Sequence, residues 1–319
     1  MNFSTNEIRT VKLILIFWLI YIFNSNSIKL LNDQSFNYFN KHIQLMSNKQ
    51  HVKINSLSLI IAHPDDEIMF FSPTLLQLNN YLEKDIMFNV VCLSQGLDST
   101  GSFKDPQRVH ELNDSLNLLF NRGSNNEHNR NFKLIQLDYT DGMKEIWNMD
   151  LIVDDLLQNL NFTDNGINLL LTFDKSGVSN HKNHLACNEA VTKLLKYSNP
   201  DSNLIGIFLN SHSKNFFLKY SFFVSKLFTI IKLKFFRSIS LFYSFCFPNS
   251  DFLQSYQIIS HYDLNTKTNL SFTFFNPFAK YMLSYSTMLN AHESQMVWFR
   301  YLWWIFSRFA FINDLTIVN

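Results

Sequence analysis

One short stretch of this 319-residue chain, LSLIIAHPDDE at 57–67, determines both a local structure and a chemistry. The apolar run 57–62 has the length of a strand and stops before Pro64, which cannot donate a ladder hydrogen bond and fits the first turn of a helix. Helix-compatible residues then continue over 66–81. The pattern predicts a strand-to-helix turn at the carboxyl end of a strand, where open α/β sheets bind their ligands.

The predicted turn carries His63, Asp65, Asp66 and Glu67. An imidazole and a carboxylate three residues apart can bind one divalent ion, and the helix N-terminus helps to keep the carboxylate ionised. A neighbouring carboxylate then remains free. Because a catalytic zinc site uses about three protein ligands and an open position for water, another histidine is required, and the HKNH motif at 181–184 can supply it.

Each motif alone has a structural explanation. Acidic residues at a helix start are usually caps, and paired histidines often lie on solvated surfaces. Both motifs, however, follow apolar runs of strand length, so a single parallel sheet would bring them to the same edge. Their combination therefore favours a metal site.

The remainder of the chain alternates apolar runs with helical patterns, which predicts a doubly wound, mostly parallel α/β sheet. The further predicted strands are 86–93, 132–137, 167–173 and 203–209. The predicted helices are 107–120, 152–160 and 185–197. The run INLLLTF at 167–173 is apolar almost throughout, as expected for a strand that helices cover on both faces.

Composition limits the classes of partner. The formal net charge is +1, which does not indicate a nucleic-acid partner. The chain has 33 Phe, 46% hydrophobic residues and 17% charged residues, a balance typical of a protein that works at a membrane. Three widely spaced cysteines, Cys92, Cys187 and Cys246, make no disulfide framework and fit a reducing compartment.

The N-terminus contains an uncharged apolar run, LILIFWLIYIF at 13–23. We expect residues 1–31 to form an uncleaved membrane anchor helix, although the run is shorter than the roughly 20 residues of a spanning helix. A cleaved signal peptide is the alternative, but the following NSNS offers no small-x-small cleavage site. The polar stretch 32–55 is predicted to be a linker to a single domain over 56–319.

Two aromatic segments lie within that domain. Residues 215–247 combine many Phe with Lys219, Lys226 and further cations, which suits a segment in the membrane interface; a buried helix pair is the alternative. Residues 294–312 are predicted to form an aromatic C-terminal helix that packs on the domain or touches the bilayer.

Several motifs, in order, resemble one known family. They are AHPDDEIMFFSPT at 62–74, LSQG at 93–96, RVHEL at 108–112, TFDKSGVSNHKNH at 172–184 and SQMVWFRYLWWIFSRFAFIN at 294–313. From about residue 56 to the C-terminus the chain is similar to the PIG-L branch of the LmbE-like deacetylases, the N-acetylglucosaminyl-phosphatidylinositol de-N-acetylases. The resemblance implies a Rossmann-like fold of the LmbE type.

The resemblance also implies roles for the polar residues. His63, Asp66 and His184 match zinc ligands, Asp65 matches the general base, and His181 matches the acid that stabilises the oxyanion and protonates the leaving amine. The ligand set would also accept iron, cobalt or manganese.

Two further residues match substrate-binding positions. Arg108 matches an arginine near the polar headgroup, although DPQR at 105–108 replaces the usual Gly-Glu-Thr-Arg. Asp141 matches an aspartate that binds sugar hydroxyls, and a turn residue before Gly142 is its structural alternative.

The implied activity is metal-dependent hydrolysis of the acetamide of N-acetylglucosaminyl-phosphatidylinositol, which releases acetate in the second step of GPI-anchor synthesis. The implied location is the endoplasmic reticulum membrane, with the catalytic domain in the cytosol. The alternatives are a deacetylase of a soluble N-acetylglucosamine conjugate and an inactive membrane subunit that binds the glycolipid.

Overall fold

The computed structural model describes residues 5–47, 53–98, 100–121, 129–162, 166–197, 203–212, 215–221 and 271–318, with scattered positions between 224 and 239. These residues build one seven-stranded sheet covered by helices. The strands are β1 (Ile54–Ile61), β2 (Met87–Cys92), β3 (Phe132–Gln136), β4 (Ile167–Phe173), β5 (Leu204–Leu209), β6 (Ser271–Phe275) and β7 (Ile312–Val318).

The strand order is β3-β2-β1-β4-β5-β7-β6. Strands β1 to β5 pair in parallel, and β7 runs antiparallel to both β5 and β6. The order reverses between β1 and β4, so the crevice beyond their carboxyl ends is the position where such sheets bind ligands. The predicted doubly wound, mostly parallel sheet is confirmed.

Helices connect the parallel strands and cover both faces of the sheet. They are α1 (Thr5–Phe23), α2 (Ser25–Ser47), α3 (Asp66–Met69), α4 (Ser72–Tyr81), α5 (Gln107–Phe120), α6 (Met149–Asn159), α7 (Gly177–Asn180), α8 (Lys182–Tyr197), α9 (Phe216–Lys219), α10 (Phe278–Ala291) and α11 (Trp298–Phe306). Helix α10 packs on α4 and α5, whereas α6 packs on α8. Every residue of β4 is buried, in agreement with its apolar sequence.

The N-terminal helices differ from the sequence prediction. Residues 32–55 are not an open linker, because most of them belong to helix α2. Phe39 and Ile43 on this helix are buried, and Asn32 pairs with the backbone of Phe275 through two hydrogen bonds of 2.9 and 2.8 Å. The apolar residues recur at helical spacing among polar ones, so α2 covers the edge strand β6 and removes a free strand edge.

Helix α1 packs on the domain through one side only. Trp18 and Tyr21 contact the rings of Tyr281 and Phe311. The opposite side exposes large apolar side chains: Ile8, Val11, Leu13, Leu15, Ile16, Leu19 and Phe23. Within the described residues no single helix has the length and apolar character to cross a bilayer, and α1 and α2 meet that test only as a pair bent by 61°. The membrane anchor over 1–31 stays a prediction.

The two aromatic segments also depart from expectation. Most of 215–247 lies outside the described residues, but Lys219 donates to the carbonyl of Val178 (2.8 Å) and Lys226 lies 3.3 Å from Asp314. These two lysines face the domain instead of lipid headgroups. The predicted helix over 294–312 is wrong in length: α11 ends at Phe306, and β7 then enters the sheet between β5 and β6.

Asp314 on β7 is the charged centre of this C-terminal region. Its carboxylate accepts hydrogen bonds from Arg308, from His212 (2.8 Å) and from Thr273 (2.6 Å). Burial alone would raise the pKa of Asp314, but the His212 hydrogen bond and the charges of Arg308 and Lys226 hold that pKa well below its usual range. The ionised carboxylate therefore stabilises the fold.

We predict that Asp314→Asn lowers the free energy of unfolding at pH 7 by about 3 kcal/mol, because it removes the carboxylate that pairs with the buried Arg308 guanidinium. Because the folded pKa is depressed, the difference from wild type should persist above the unfolded pKa and shrink as the pH falls below about 4. Urea unfolding followed by tryptophan fluorescence measures both effects.

The matched control is Asp85→Asn, which removes an exposed ion pair with Lys53 and should change stability by less than about 1 kcal/mol. Equal losses in the two variants would contradict the assignment of Asp314 as a stabilising centre.

Candidate metal and catalytic site

The turn after β1 is built around the carboxylate of Asp66. Its Oδ2 atom accepts hydrogen bonds from the backbone N–H groups of Ala62 (3.1 Å) and His63 (2.9 Å). Asp65 adopts a left-handed backbone conformation with φ of 109°, unusual for a residue other than glycine. Asp65 and Asp66 therefore point in different directions, and both are buried.

The HKNH motif approaches the turn from β4. After β4 the chain passes through α7, and α8 begins at Lys182, so the motif occupies the first turn of a helix. Gly177 has φ of +50°, and a Cβ there would lie 2.8 Å from the Cβ of His184. Glycine at this position thus permits the close approach of α8. The ring of His184 stacks on Phe173 and is held by the Gly177 carbonyl, 3.0 Å from Nδ1.

His63, Asp66 and His184 form a compact buried cluster. Their candidate ligand atoms all lie within 4.8 Å of one another. His184 Nε2 is 3.3 Å from Asp66 Oδ1, and His63 Nδ1 is 3.7 Å from Asp66 Oδ2. His184 Nε2 is buried with no hydrogen-bond partner among the described residues, as expected for a nitrogen that binds a metal. The donor set fits a divalent ion such as zinc.

Asp141 lies behind His63. Its Oδ1 atom is 2.9 Å from His63 Nε2, and both atoms are 3.1 Å from the amide nitrogen of Asn183. A proton on Nε2 that donates to Asp141 leaves the Nδ1 lone pair free on the side of Asp66, the arrangement usual for metal-binding histidines. The structure thus gives Asp141 a clear contact with a predicted ligand, whereas its predicted role in sugar binding stays untested.

The site charges shift several pKa values. Burial would raise the pKa of Asp66, but His184 and His63 hold it well below its usual range. Burial would lower the pKa of His63, but the hydrogen bond to Asp141 and the charge of Asp66 raise it. The pKa of His181 falls to about 4 through burial and the neighbouring imidazoles of His63 and His184. The His181 ring is therefore uncharged at neutral pH.

His181 also belongs to a second group with metal-binding geometry. His63, Asp141 and His181 bring their ligand atoms within the same 4.8 Å limit, but two of these three residues are partly exposed. The ring of His181 lies 4.8 Å from that of His63, measured between centroids. The structure thus brings His181 to the open side of the cluster.

Two arginines hold the carboxylate of Asp65. Arg108 Nη2 lies 3.3 Å and Arg300 Nη1 lies 3.1 Å from the same oxygen, Oδ2. Arg108 also donates to the carbonyls of Leu97 and Pro64, and its side chain is 5% exposed. The guanidinium of Arg108 thus binds the backbone of the loop after β2, at Leu97, and the backbone of the β1 turn, at Pro64.

Sequence reasoning missed the support that the C-terminal part of the chain provides. Glu67 Oε1 lies 2.6 Å from His292 Nε2 and accepts from Ser115 (2.6 Å), while Oε2 accepts from the N–H of Asp65 (3.0 Å). His292 and Glu67 are fully buried. Burial would lower the pKa of His292, but the charge of Glu67 raises it. Glu67 therefore holds the backbone of the left-handed residue Asp65 in place.

His292 and Arg300 lie in or beside the aromatic tail that begins with SQMVWFR, which the sequence pattern predicts to be a helix that packs on the domain or touches the bilayer. A histidine and an arginine within so apolar a segment indicate a polar partner inside the fold. The partners are residues of the β1 turn, more than two hundred positions earlier.

Comparisons with known proteins match this chain to one family of enzymes. The family model described as "PIG-L: GlcNAc-PI de-N-acetylase" matches residues 58–195. The N-acetylglucosaminyl-phosphatidylinositol de-N-acetylase of Saccharomyces cerevisiae is 36% identical over 327 residues, which cover 99% of this chain and 96% of that protein. A probable enzyme of the same name from Dictyostelium discoideum is 31% identical over 80% of this chain and 90% of its own length.

Among solved structures, the N,N'-diacetylchitobiose deacetylase of Pyrococcus horikoshii aligns with 88% of this chain and 91% of its own, at 13% identity and a TM-score of 0.47. The match to the Saccharomyces cerevisiae protein covers 99% of this chain, so it includes the β1 turn, the HKNH motif and the C-terminal support. On this ground the chain belongs to the PIG-L family of N-acetylglucosaminyl-phosphatidylinositol de-N-acetylases.

Proposed function

We propose that this protein hydrolyses the acetamide of N-acetylglucosaminyl-phosphatidylinositol, giving acetate and glucosaminyl-phosphatidylinositol, the second step of GPI-anchor synthesis. The observation that carries the proposal is the meeting of His63, Asp66 and His184 around one point, with Asp65 and His181 beside them. The near full-length similarity to an enzyme of that name supports the choice of substrate.

In this proposal His63, Asp66 and His184 hold the metal ion. Zinc is the first candidate, because two imidazoles and a carboxylate leave a fourth position open for water. When bound, the ion supplies a Lewis acid that lowers the pKa of an adjacent water molecule towards about 7. Iron, cobalt and manganese remain alternatives for this ligand set.

The remaining steps belong to the side chains of the protein. Asp65 accepts the proton of the attacking water. The hydrogen bond from the Asp65 N–H to Glu67 fixes the backbone of Asp65 and so keeps the Asp65 carboxylate in place. His181 starts uncharged, so its ring N–H can donate a hydrogen bond to the oxyanion. The proton that Asp65 takes from the water then passes to the leaving amine, with the His181 ring as the relay. Asp141 orients His63 throughout.

We further infer that the protein works at the endoplasmic reticulum membrane with its catalytic domain in the cytosol. Two exposed apolar surfaces support a lipid contact: the outer side of α1, and the side of α11 that carries Trp298, Phe299 and Leu302. Ile14 and Trp18 of α1 line one groove together with Ile305 and Phe306 of α11, so the two surfaces adjoin. Aromatic and aliphatic side chains exposed in this way suit a membrane interface.

The alternatives predict different activities. A deacetylase of soluble conjugates would not need these apolar surfaces, and an inactive subunit would not need the intact set of metal ligands, base and acid. An assay of detergent-solubilised protein on the glycolipid and on a soluble N-acetylglucosamine conjugate separates them. Turnover of the soluble conjugate alone would overturn the proposed substrate, and turnover of neither would overturn the proposed activity.

We predict that Asp65→Asn lowers kcat on the glycolipid by about a hundredfold to ten-thousandfold, the usual contribution of a positioned base, and leaves the metal content unchanged. The change keeps the size of the side chain and removes its basicity, together with the charge that faces Arg108 and Arg300. Asp85→Asn, at the opposite end of the sheet, is the control and should retain full activity. Wild-type kcat in Asp65→Asn would refute the assignment of Asp65 as the base.

We predict that His184→Ala loses the bound metal, because it removes one of three protein ligands, whereas His110→Ala on the exposed side of α5 retains it. Metal per protein is measured by plasma mass spectrometry after dialysis, and the ions that restore activity to chelated wild type identify the usable metals. One equivalent of metal in His184→Ala would show that the ion binds elsewhere.

We predict that lipids with brominated acyl chains quench the fluorescence of wild-type protein in vesicles, and that Trp298→Phe reduces the quenched fraction. Trp298 is 76% exposed on α11, whereas Trp147 is buried and donates to the carbonyl of Thr140. Trp147→Phe should therefore leave the quenched fraction unchanged. Equal quenching in wild type and Trp298→Phe would place this part of α11 outside the bilayer.

A further inference from the structure

Helix α11 has two faces with opposite chemistry. Trp298, Leu302 and Phe306 recur every four residues, and all three are exposed. Arg300 lies on the other side, where its guanidinium contacts Asp65 and the sulfur of Met69. The exposed apolar surface thus lies on one side of α11, and Asp65, the candidate catalytic base, lies on the other.

The two arginines that contact Asp65 are not equivalent. Arg108 is enclosed: its side chain is 5% exposed, it donates to the carbonyls of Leu97 and Pro64, and a Cβ on Gly96 would lie 2.4 Å from its Nη1. The side chain of Arg300 is 18% exposed, and Asp65 is the only carboxylate it contacts within the part of the chain that the structure describes. Arg300 therefore retains N–H groups for a ligand.

We propose that Arg300 binds the phosphodiester of the glycolipid substrate, an inference that rests on the proposed function. In such a substrate the phosphodiester joins the sugar headgroup to the lipid. With the acetamide at the metal cluster and the acyl chains in the bilayer, the phosphodiester lies between the two. Arg300 holds that position between the apolar face of α11 and Asp65.

The chemistry of the two groups fits. A guanidinium donates two parallel hydrogen bonds to phosphate oxygens and stays charged at any physiological pH. Because a phosphodiester carries one negative charge, it can take the place of Asp65 as the partner of Arg300, and Asp65 keeps its contact with Arg108. Arg300 is then a specificity-determining residue, and Arg108 is a positioning residue that holds Asp65 and the loop.

The test compares two soluble substrates that differ only in the phosphate: N-acetylglucosaminyl-inositol and its methyl phosphodiester. The measured quantity is the ratio of their kcat/KM values for full-length protein in detergent. We expect wild type to prefer the phosphodiester and Arg300→Gln to lower that preference by about tenfold to a hundredfold, the usual effect of losing a charge-assisted hydrogen bond. Arg300→Lys keeps the charge but not the paired N–H groups of the guanidinium. Its preference for the phosphodiester should therefore lie between those of wild type and Arg300→Gln.

Arg108→Gln is the matched control, because it removes the other guanidinium on the same carboxylate oxygen. It should lower kcat/KM for both substrates alike and leave their ratio unchanged. If Arg300→Gln also lowers both alike, Arg300 acts only through Asp65 and the inference is wrong.

Should Arg300→Gln prove unstable, Arg300→Lys decides. A wild-type ratio in Arg300→Lys contradicts phosphate binding by Arg300, and so does equal use of both substrates by wild type. Hydrolysis of neither substrate nor of the glycolipid by wild type would instead refute the proposed function. The two failures are therefore distinguishable.

Discussion

The carboxylate of Asp66 is the interaction on which the site depends. One oxygen accepts the N–H groups of Ala62 and His63 and so closes the turn after β1, while the other faces His184 at the start of α8. Because the group is buried, its charge is stable only with these partners in place. The carboxylate that we propose as a metal ligand thus also ties the carboxyl ends of β1 and β4 together.

Much of this arrangement could be predicted from the sequence. The sequences of β1 and β4 are mainly apolar and each is followed by polar motifs, so a parallel sheet brings His63, Asp66 and His184 to one edge. Local pattern sufficed for that purpose. The sequence pattern does not predict the position of Arg108. That position depends on hydrogen bonds to the carbonyls of Leu97 and Pro64.

The parts that could not be predicted depend on contacts between distant segments. Helix α2 looked like a linker because its polar residues dominate, yet Asn32 satisfies the outer edge of β6, far along the chain. Strand β7 begins where the aromatic segment ends, and its residues INDLTIV form a strand only because β5 and β6 supply partners on both sides. The positions of His292 and Arg300 could not be predicted either, because they depend on contacts with Glu67 and Asp65, which lie far away in the sequence.

The position of β7 has a consequence for biosynthesis. Strand β5 is apolar along its length and has β4 on one side only until β7, more than a hundred residues later, is made. During translation that unpaired edge is a template for association with other chains. This edge is closed only when β7, the last strand in the sequence, has been made and pairs with β5.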